Sequence, residues 1–241
     1  MVPRAQSMAR TGDPMGDEMK RLNWGAATLI AALLLGCPGI AAAQAGQDTA
    51  RFSVGALHFE MRMPDGYCLP RGAAADAAAL AEAADPQNIT LLALYPCASE
   101  SAGDTDYYMI KIPRNLVTTP VPLEEMLPAM RALFQDPEFS ASLNSSAGNA
   151  AGSVSDVAGT DVSIRSALKS SGVDDRCAYI SGTIRTIGGG ADYTLSVAAC
   201  MTVAGSRVMT IYRYSDPGRD PDTLKPVVRE AAEAIRLVET Q

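Results

Sequence analysis

Five cysteines constrain this 241-residue chain more than any other feature: Cys37, Cys68, Cys97, Cys177 and Cys200. An odd number suits no disulfide framework until Cys37 is assigned to a removable segment. Between Met19 and Gln44 the chain reads MKRLNWGAATLIAALLLGCPGIAAA. A short cationic opening, an apolar run from about Trp24 to Leu35 and a small-residue stretch stand in the order of a secretory signal peptide. The apolar run is shorter than the roughly 20 residues that span a bilayer, so a cleaved signal is expected rather than a membrane helix. Asp13, Asp17 and Glu18 do not suit a cationic opening, which places the expected start at Met19. With one Lys-Arg pair and no twin arginine, the general secretory route is the simpler one.

Two cleavage sites compete. Ala41-Ala42-Ala43 suits ordinary signal peptidase, whereas Leu34-Leu35-Gly36-Cys37 resembles a bacterial lipobox that would acylate Cys37. The ordinary site accounts for the alanine triplet, and Leu35 is less typical of a lipobox, so the expected division is a leader over 1–43 and a single domain over 44–241. Removing the leader leaves 16 basic and 24 acidic residues, a charge of about −8. Such a surface repels phosphates and anionic headgroups, and nucleic-acid binding is not expected.

Cys68, Cys97, Cys177 and Cys200 then form an even set in an oxidising compartment. Three pairings are open to them. Cys177 and Cys200 are equidistant from the Gly188-Gly189 step, and the segments flanking Gly188-Gly189-Gly190 both read as strands. A hairpin there would place the two cysteines opposite each other, close enough to bridge, and leave Cys68 to Cys97. A Cys68–Cys177 link would contradict that geometry. With no CxxC and spacings of 29, 80 and 23 residues, the set matches no redox or zinc pattern.

Val54–Met63 alternates, with Leu57, Phe59, Met61 and Met63 on one face and His58, Glu60 and Arg62 on the other, the pattern of a half-buried strand. Pro64-Asp65-Gly66 turns the chain, residues 73–84 read as a helix, and 89–95 and 107–112 read as strands flanking a loop over 98–105. Leu123, Met126, Leu127, Met130 and Leu133 recur at helical spacing despite Pro128. Residues 144–152 have the composition of a flexible connection. Strands are expected at 153–158, 161–170, 177–187, 191–203 and 207–214, joined as a meander, and a last helix carries Leu224, Val227, Val228, Ala231, Ile235 and Val238 on one side. With 47% apolar residues, the sum is an α+β domain: one predominantly antiparallel sheet with helices packed on it and two disulfides.

Phe59–Tyr67, FEMRMPDGY, and Ala231–Val238, AAEAIRLV, together resemble the PsbP-like and DcrB-like group of secreted and envelope proteins. Those families open with a strand running into Pro-x-Gly-aromatic and close with a helix on an antiparallel sheet. The resemblance implies a binding or structural role, and no functional residue carries over with it.

The chemistry available is narrow. His58 is the single histidine, which excludes multi-histidine metal sites within one chain; without a GxSxG elbow it reads as a surface residue beside Glu60. Strand alternation turns the Met61 and Met63 thioethers away from His58, against a copper site. Asp216, Asp220 and Asp222 read as turn and cap residues, and Glu124-Glu125 as the acidic first turn of a helix. No phosphate-cradling glycine loop occurs, so no cofactor or metal is expected. Two functional readings follow. The first is an exported, non-enzymatic protein that binds an envelope protein or small ligand, or has an envelope-accessory role. The second is a hydrolase of envelope material that uses carboxylates assembled by the fold.

Overall fold

The computed structural model describes residues 49–99, 103–188 and 190–238. The expected leader, both cleavage sites and Cys37 lie outside the described residues. So does the middle of the expected loop over 98–105.

The chain opens with a hairpin, β1 (Thr49–Val54) and β2 (Leu57–Arg62), closed by Gly55-Ala56 with Gly55 at φ 59°. The alternation over 54–63 thus spans the end of one strand and all of the next. Phe59 and Met61 point inward as expected, and Phe52 stacks on Phe59 at 5.4 Å. After β3 (Tyr67–Cys68) come α1 (Ala73–Ala83), β4 (Asn88–Pro96) and β5 (Tyr107–Pro113). Then follow α2 (Leu123–Leu133), α3 (Phe139–Ala158) and four long strands: β6 (Val162–Val173), β7 (Ala178–Gly188), β8 (Ala191–Ala204) and β9 (Arg207–Ser215). A short 3-10 turn at Pro221–Leu224 leads into α4 (Lys225–Glu233) and a final strand, β10 (Ile235–Val238).

These strands form two antiparallel sheets rather than one. The larger has the order β3-β4-β5-β9-β8-β7-β6, and the smaller is β1-β2-β10. Period-two alternation gives the large sheet two apolar faces. On one face Leu94, Ile110, Ala198, Cys200, Met209 and Ile211 pack against Phe59 and Met61 of the small sheet and Val228 and Ala231 of α4. On the other, Met126, Leu127 and Met130 of α2 cover Ala178, Val203 and Val208, while α1 lies on Ala93 and Tyr95.

Three further sequence expectations are corrected. Residues 144–152 and 153–158, read as a flexible connection and a strand, belong to one 20-residue helix, α3, which ends at Gly159 in the left-handed conformation. Its tertiary partner, the open edge of β6, overrides a composition poor in helix formers. The last helix stops at Glu233, and Ile235 and Val238 lie instead in β10, which pairs with β2. The spacing of Ala231, Ile235 and Val238 had suited a helix, and pairing with β2 overrides it. The third correction concerns the register of the β7–β8 hairpin.

Both expected disulfides form, Cys68–Cys97 and Cys177–Cys200. The register that brings the second together differs from the symmetric one. Gly188 pairs with Ala191, so the turn falls one residue later and Cys200 faces Tyr179, not Cys177. Gly188 is held in the ladder because β6 passes so close that a Cβ there would lie 2.1 Å from the Asp161 carbonyl oxygen. Cys177 therefore sits just before β7, with its Cα 5.2 Å from that of Cys200. The first bridge is diagonal in the same sense: Cys68 faces Tyr95, and its partner Cys97 lies two residues further on.

What folds Cys177 back toward β8 is the turn between β6 and β7. The Asp174 carboxylate accepts from the backbone N–H groups of Arg176 (2.8 Å) and Cys177 (2.7 Å). Its second oxygen accepts from the Tyr179 hydroxyl (2.7 Å) and from Arg229 of α4 (2.6 Å). Burial pushes the Asp174 pKa up, but the Tyr179, Cys177, Arg176 and Arg229 donors outweigh it and lower the value from 3.8 to about 2. A carboxylate whose folded-state pKa lies below its unfolded value contributes stability above the unfolded value and loses it on acidification. Its contribution should therefore be complete above about pH 4 and disappear between about pH 4 and 2. In Asp174→Asn, urea unfolding should show lower stability at pH 7 and a flatter pH dependence across that window; an unchanged acid limb would contradict this role.

Candidate functional site

A cleft of about 180 Å³ opens where the end of β2 and the turn after it meet α4. Arg62, Met63, Pro64 and Asp65 form one wall, Val227, Glu230, Ala231 and Ala234 of α4 the other, and Tyr108 of β5 also lines it. The amphipathic α4 makes this wall because Val228, Ala231 and Ala232 are fixed in the core, which turns Glu230 toward the opening. The volume is close to that of a cavity that accommodates a benzene-sized group, about 150 Å³. Apolar surface comes from Met63, Val227 and the alanines. Charge comes from Arg62, Asp65 and Glu230, all exposed.

Tyr108 links this cleft to an unusual polar cluster. Arg213 of β9 is 4% exposed and is the one fully buried charged residue among those described. Its guanidinium lies 4.6 Å from the Tyr108 ring centre and 5.0 Å from that of Tyr67, within cation–π range of both. It also pairs with Asp106, donates to the Tyr67 hydroxyl and reaches the Tyr214 carbonyl at 2.6 Å. Tyr67 in turn donates to Asp106 at 2.9 Å. Burial raises the Tyr67 pKa, opposed by Arg213 and reinforced by Asp106. Tyr108 is raised for the same first reason. Both phenols therefore stay protonated: Tyr67 donates to Asp106, and Tyr108 offers its ring surface to Arg213.

On the opposite face of the sheet, Tyr95, Tyr107 and Tyr214 stack in sequence across β4, β5 and β9, with centroids 5.2 and 4.6 Å apart. Tyr212 continues the row at 6.1 Å from Tyr214. Ala74 and Ala78 of α1 pack against Tyr95 and Tyr107, which explains an alanine-rich helix there: only a small side chain lets the helix approach the rings. Burial pushes Tyr212 up to about 12.

The residues weighed in the sequence fall mostly outside these clusters. His58 accepts or donates at 2.9 Å to Ser53 across the β1–β2 hairpin, and Met61 is fully buried. Asp220 accepts from the Asp222 backbone N–H at the 3-10 turn, and Asp222 accepts from Ser181 at 2.8 Å. Among the described residues no group of three or more His, Cys, Asp or Glu is placed to hold a metal ion, and no helix is long and apolar enough to cross a membrane. Sequence reasoning missed Arg213, although its place two residues after Ile211 and four after Met209, on the same inward face of β9, signals a cation that must be paired. The cleft itself depends on β2, β5 and α4 meeting, and no local pattern announces it.

No family profile matches the chain, and no curated protein sequence does. Among solved structures, the chain is similar to the solution structure of cyanobacterial PsbP (CyanoP) from Synechocystis sp. PCC 6803. The match has 15% identity and a TM-score of 0.36, and covers 85% of this chain and 99% of that one. A likeness at that level carries no argument about function.

Arg213 makes a testable claim about the cluster. Arg213 is buried but its partner Asp106 is 39% exposed, so removing the guanidinium leaves a solvated carboxylate and costs mainly the charged hydrogen bonds, about 1–3 kcal/mol. Arg213→Met should lower the unfolding free energy by about that amount in urea denaturation and change the near-ultraviolet dichroism of the tyrosines. Arg213→Lys, which keeps the charge but loses the planar stacking, should fall between. A neutral effect of Arg213→Met would show that the cluster does not support the cleft.

Proposed function

We propose that the chain is an exported, non-enzymatic accessory protein that works by binding, its cleft beside α4 taking one small ligand or one side chain of an envelope partner. The observation that carries this reading is the pair of disulfides, since such bridges form and persist on the oxidising side of a membrane. The segment beginning at Met19 supplies an address consistent with them. Binding rather than catalysis is favoured by the composition of the cleft. Its acids, Asp65 and Glu230, stand on an exposed rim open to solvent. General-acid chemistry instead needs a carboxyl held in apolar surroundings. The rim suits an ammonium-bearing group whose apolar portion enters between Met63, Val227 and Ala231.

The hydrolase reading has one observation in its favour, that Asp65 and Glu230 line the same cleft. The two are separated by one set of measurements. Expressed with its own N-terminal segment in a bacterial host, the chain should be recovered from the periplasm with Gln44 as its first residue and both disulfides closed, as read by intact mass. Full-length reduced protein in the cytoplasm would overturn export, and a lipid-modified Cys37 would replace the soluble form with a lipoprotein. Turnover of peptidoglycan fragments that is abolished by Asp65→Asn or Glu230→Gln would replace binding with hydrolysis.

A further inference from the structure

β6 is the outermost strand of the large sheet, and what covers its open edge is a helix rather than another strand. Asn144 of α3 accepts from the Leu168 N–H at 2.8 Å and donates to the Leu168 carbonyl at 3.0 Å. One carboxamide thus takes the place of a peptide group on a neighbouring strand. Ser155 does the same at the other end of β6: its hydroxyl accepts from the Val162 N–H at 2.9 Å and lies 3.3 Å from the Val162 carbonyl. Backbone groups alternate sides along an antiparallel strand, so Ile164 and Ser166 present theirs to the same edge. Gly148 of α3 passes over Ile164, where an added Cβ would lie 4.0 Å from its carbonyl oxygen.

This cover is weakly built. None of the 20 residues of α3 is fully buried, its start has no side-chain cap, and Gly148 and Gly152 lie within it. Each interior glycine disfavours a helix about fivefold relative to alanine. Beneath α3, by contrast, lies a 12-residue strand whose backbone is ready to pair.

The flank of that edge is also basic on an acidic chain of net charge −7. Arg165 and Lys169 are exposed on one face of β6, and Arg165 stands directly across from Arg185 of β7. Arg185 is bound through two donors to Asp192, at 3.0 and 2.8 Å. Lys169 reaches Asp222 at 3.6 Å, while Arg165 has no ion-pair partner among the described residues. Like charges facing each other across strands are destabilising, and a second copy of β6 would add two more cations to this face. Acidic residues on an incoming strand would relieve the repulsion instead.

We propose that α3 is a displaceable guard of the β6 edge, and that the uncovered edge takes an extended segment of a partner protein as an eighth strand, with Asp or Glu alternating with Val or Thr. The acids would lie beside Arg165 and Lys169, and the other side chains over Val162, Ile164 and Leu168 where α3 now sits. This surface is separate from the cleft and does not depend on the reading of export.

The test uses a fluorescent ten-residue peptide alternating Glu with Val and Thr, its Lys counterpart, and the full chain with both disulfides intact. The Glu peptide should bind in fluorescence anisotropy. Hydrogen exchange should show α3 amides losing protection while those of Ile164 and Ser166 gain it. Asn144→Ala should tighten binding several-fold. Gly148→Ala with Gly152→Ala, two positions where a Cβ meets nothing closer than 4.0 Å, should weaken it about 25-fold by strengthening the guard. Equal binding of the Lys peptide, binding with α3 protection unchanged, or no binding even to Asn144→Ala would overturn the proposal.

Discussion

The buried Cys177–Cys200 bridge is the point on which the other elements converge. Both cysteines are fully buried, one just before β7 and the other within β8, and both belong to the main core. The turn that delivers Cys177 is organised by Asp174, and Asp174 also receives Arg229 from α4. The position of α4 is therefore coupled to the same turn that sets the bridge. Since α4 forms one wall of the cleft, the covalent link and the candidate binding site share a single structural chain of cause.

The small sheet extends this dependence to the two ends of the described chain. β10 follows α4 directly and pairs with β2, so the start and end of the domain close on each other over the same face of the large sheet. Gly205, at φ 52° in the two-residue β8–β9 turn, lies against Phe59 and Leu237 so closely that a Cβ would reach 2.9 Å from the Phe59 ring. Contact between the sheets therefore relies on one residue without a side chain, besides the apolar packing of Phe59 and Met61.

What could be read from the sequence follows physical lines. Cysteine number and hairpin symmetry sufficed to pair Cys177 with Cys200 and Cys68 with Cys97. The actual register was not legible, because it depends on how closely β6 approaches Gly188, a tertiary contact. The strand Leu57–Arg62 was legible for the converse reason: its alternation encodes a half-buried environment locally. Helix α3 was not, since its glycines and serines argue against a helix and its stabilising partners, Leu168 and Val162, lie on another element. Residues 235–238 failed differently: Ala231, Ile235 and Val238 carry helical spacing, and the open edge of β2 draws the segment into a strand instead. The cleft and the Arg213 cluster join residues far apart in sequence, such as Tyr67 and Arg213, and only the assembled sheet brings them together.

Covalent closure by the two bridges completes this fold. On the chain-entropy account each bridge, closing loops of 29 and 23 residues, stabilises the fold by about 3–4 kcal/mol. Two such contributions are comparable to the roughly 5–15 kcal/mol total stability of ordinary domains. The direct measurement is urea unfolding of the purified chain in its oxidised and fully reduced forms, followed by far-ultraviolet circular dichroism. The oxidised form should show a cooperative transition, and the reduced one should lose most or all folded structure at low urea. Coincident transitions with the same midpoint would contradict it.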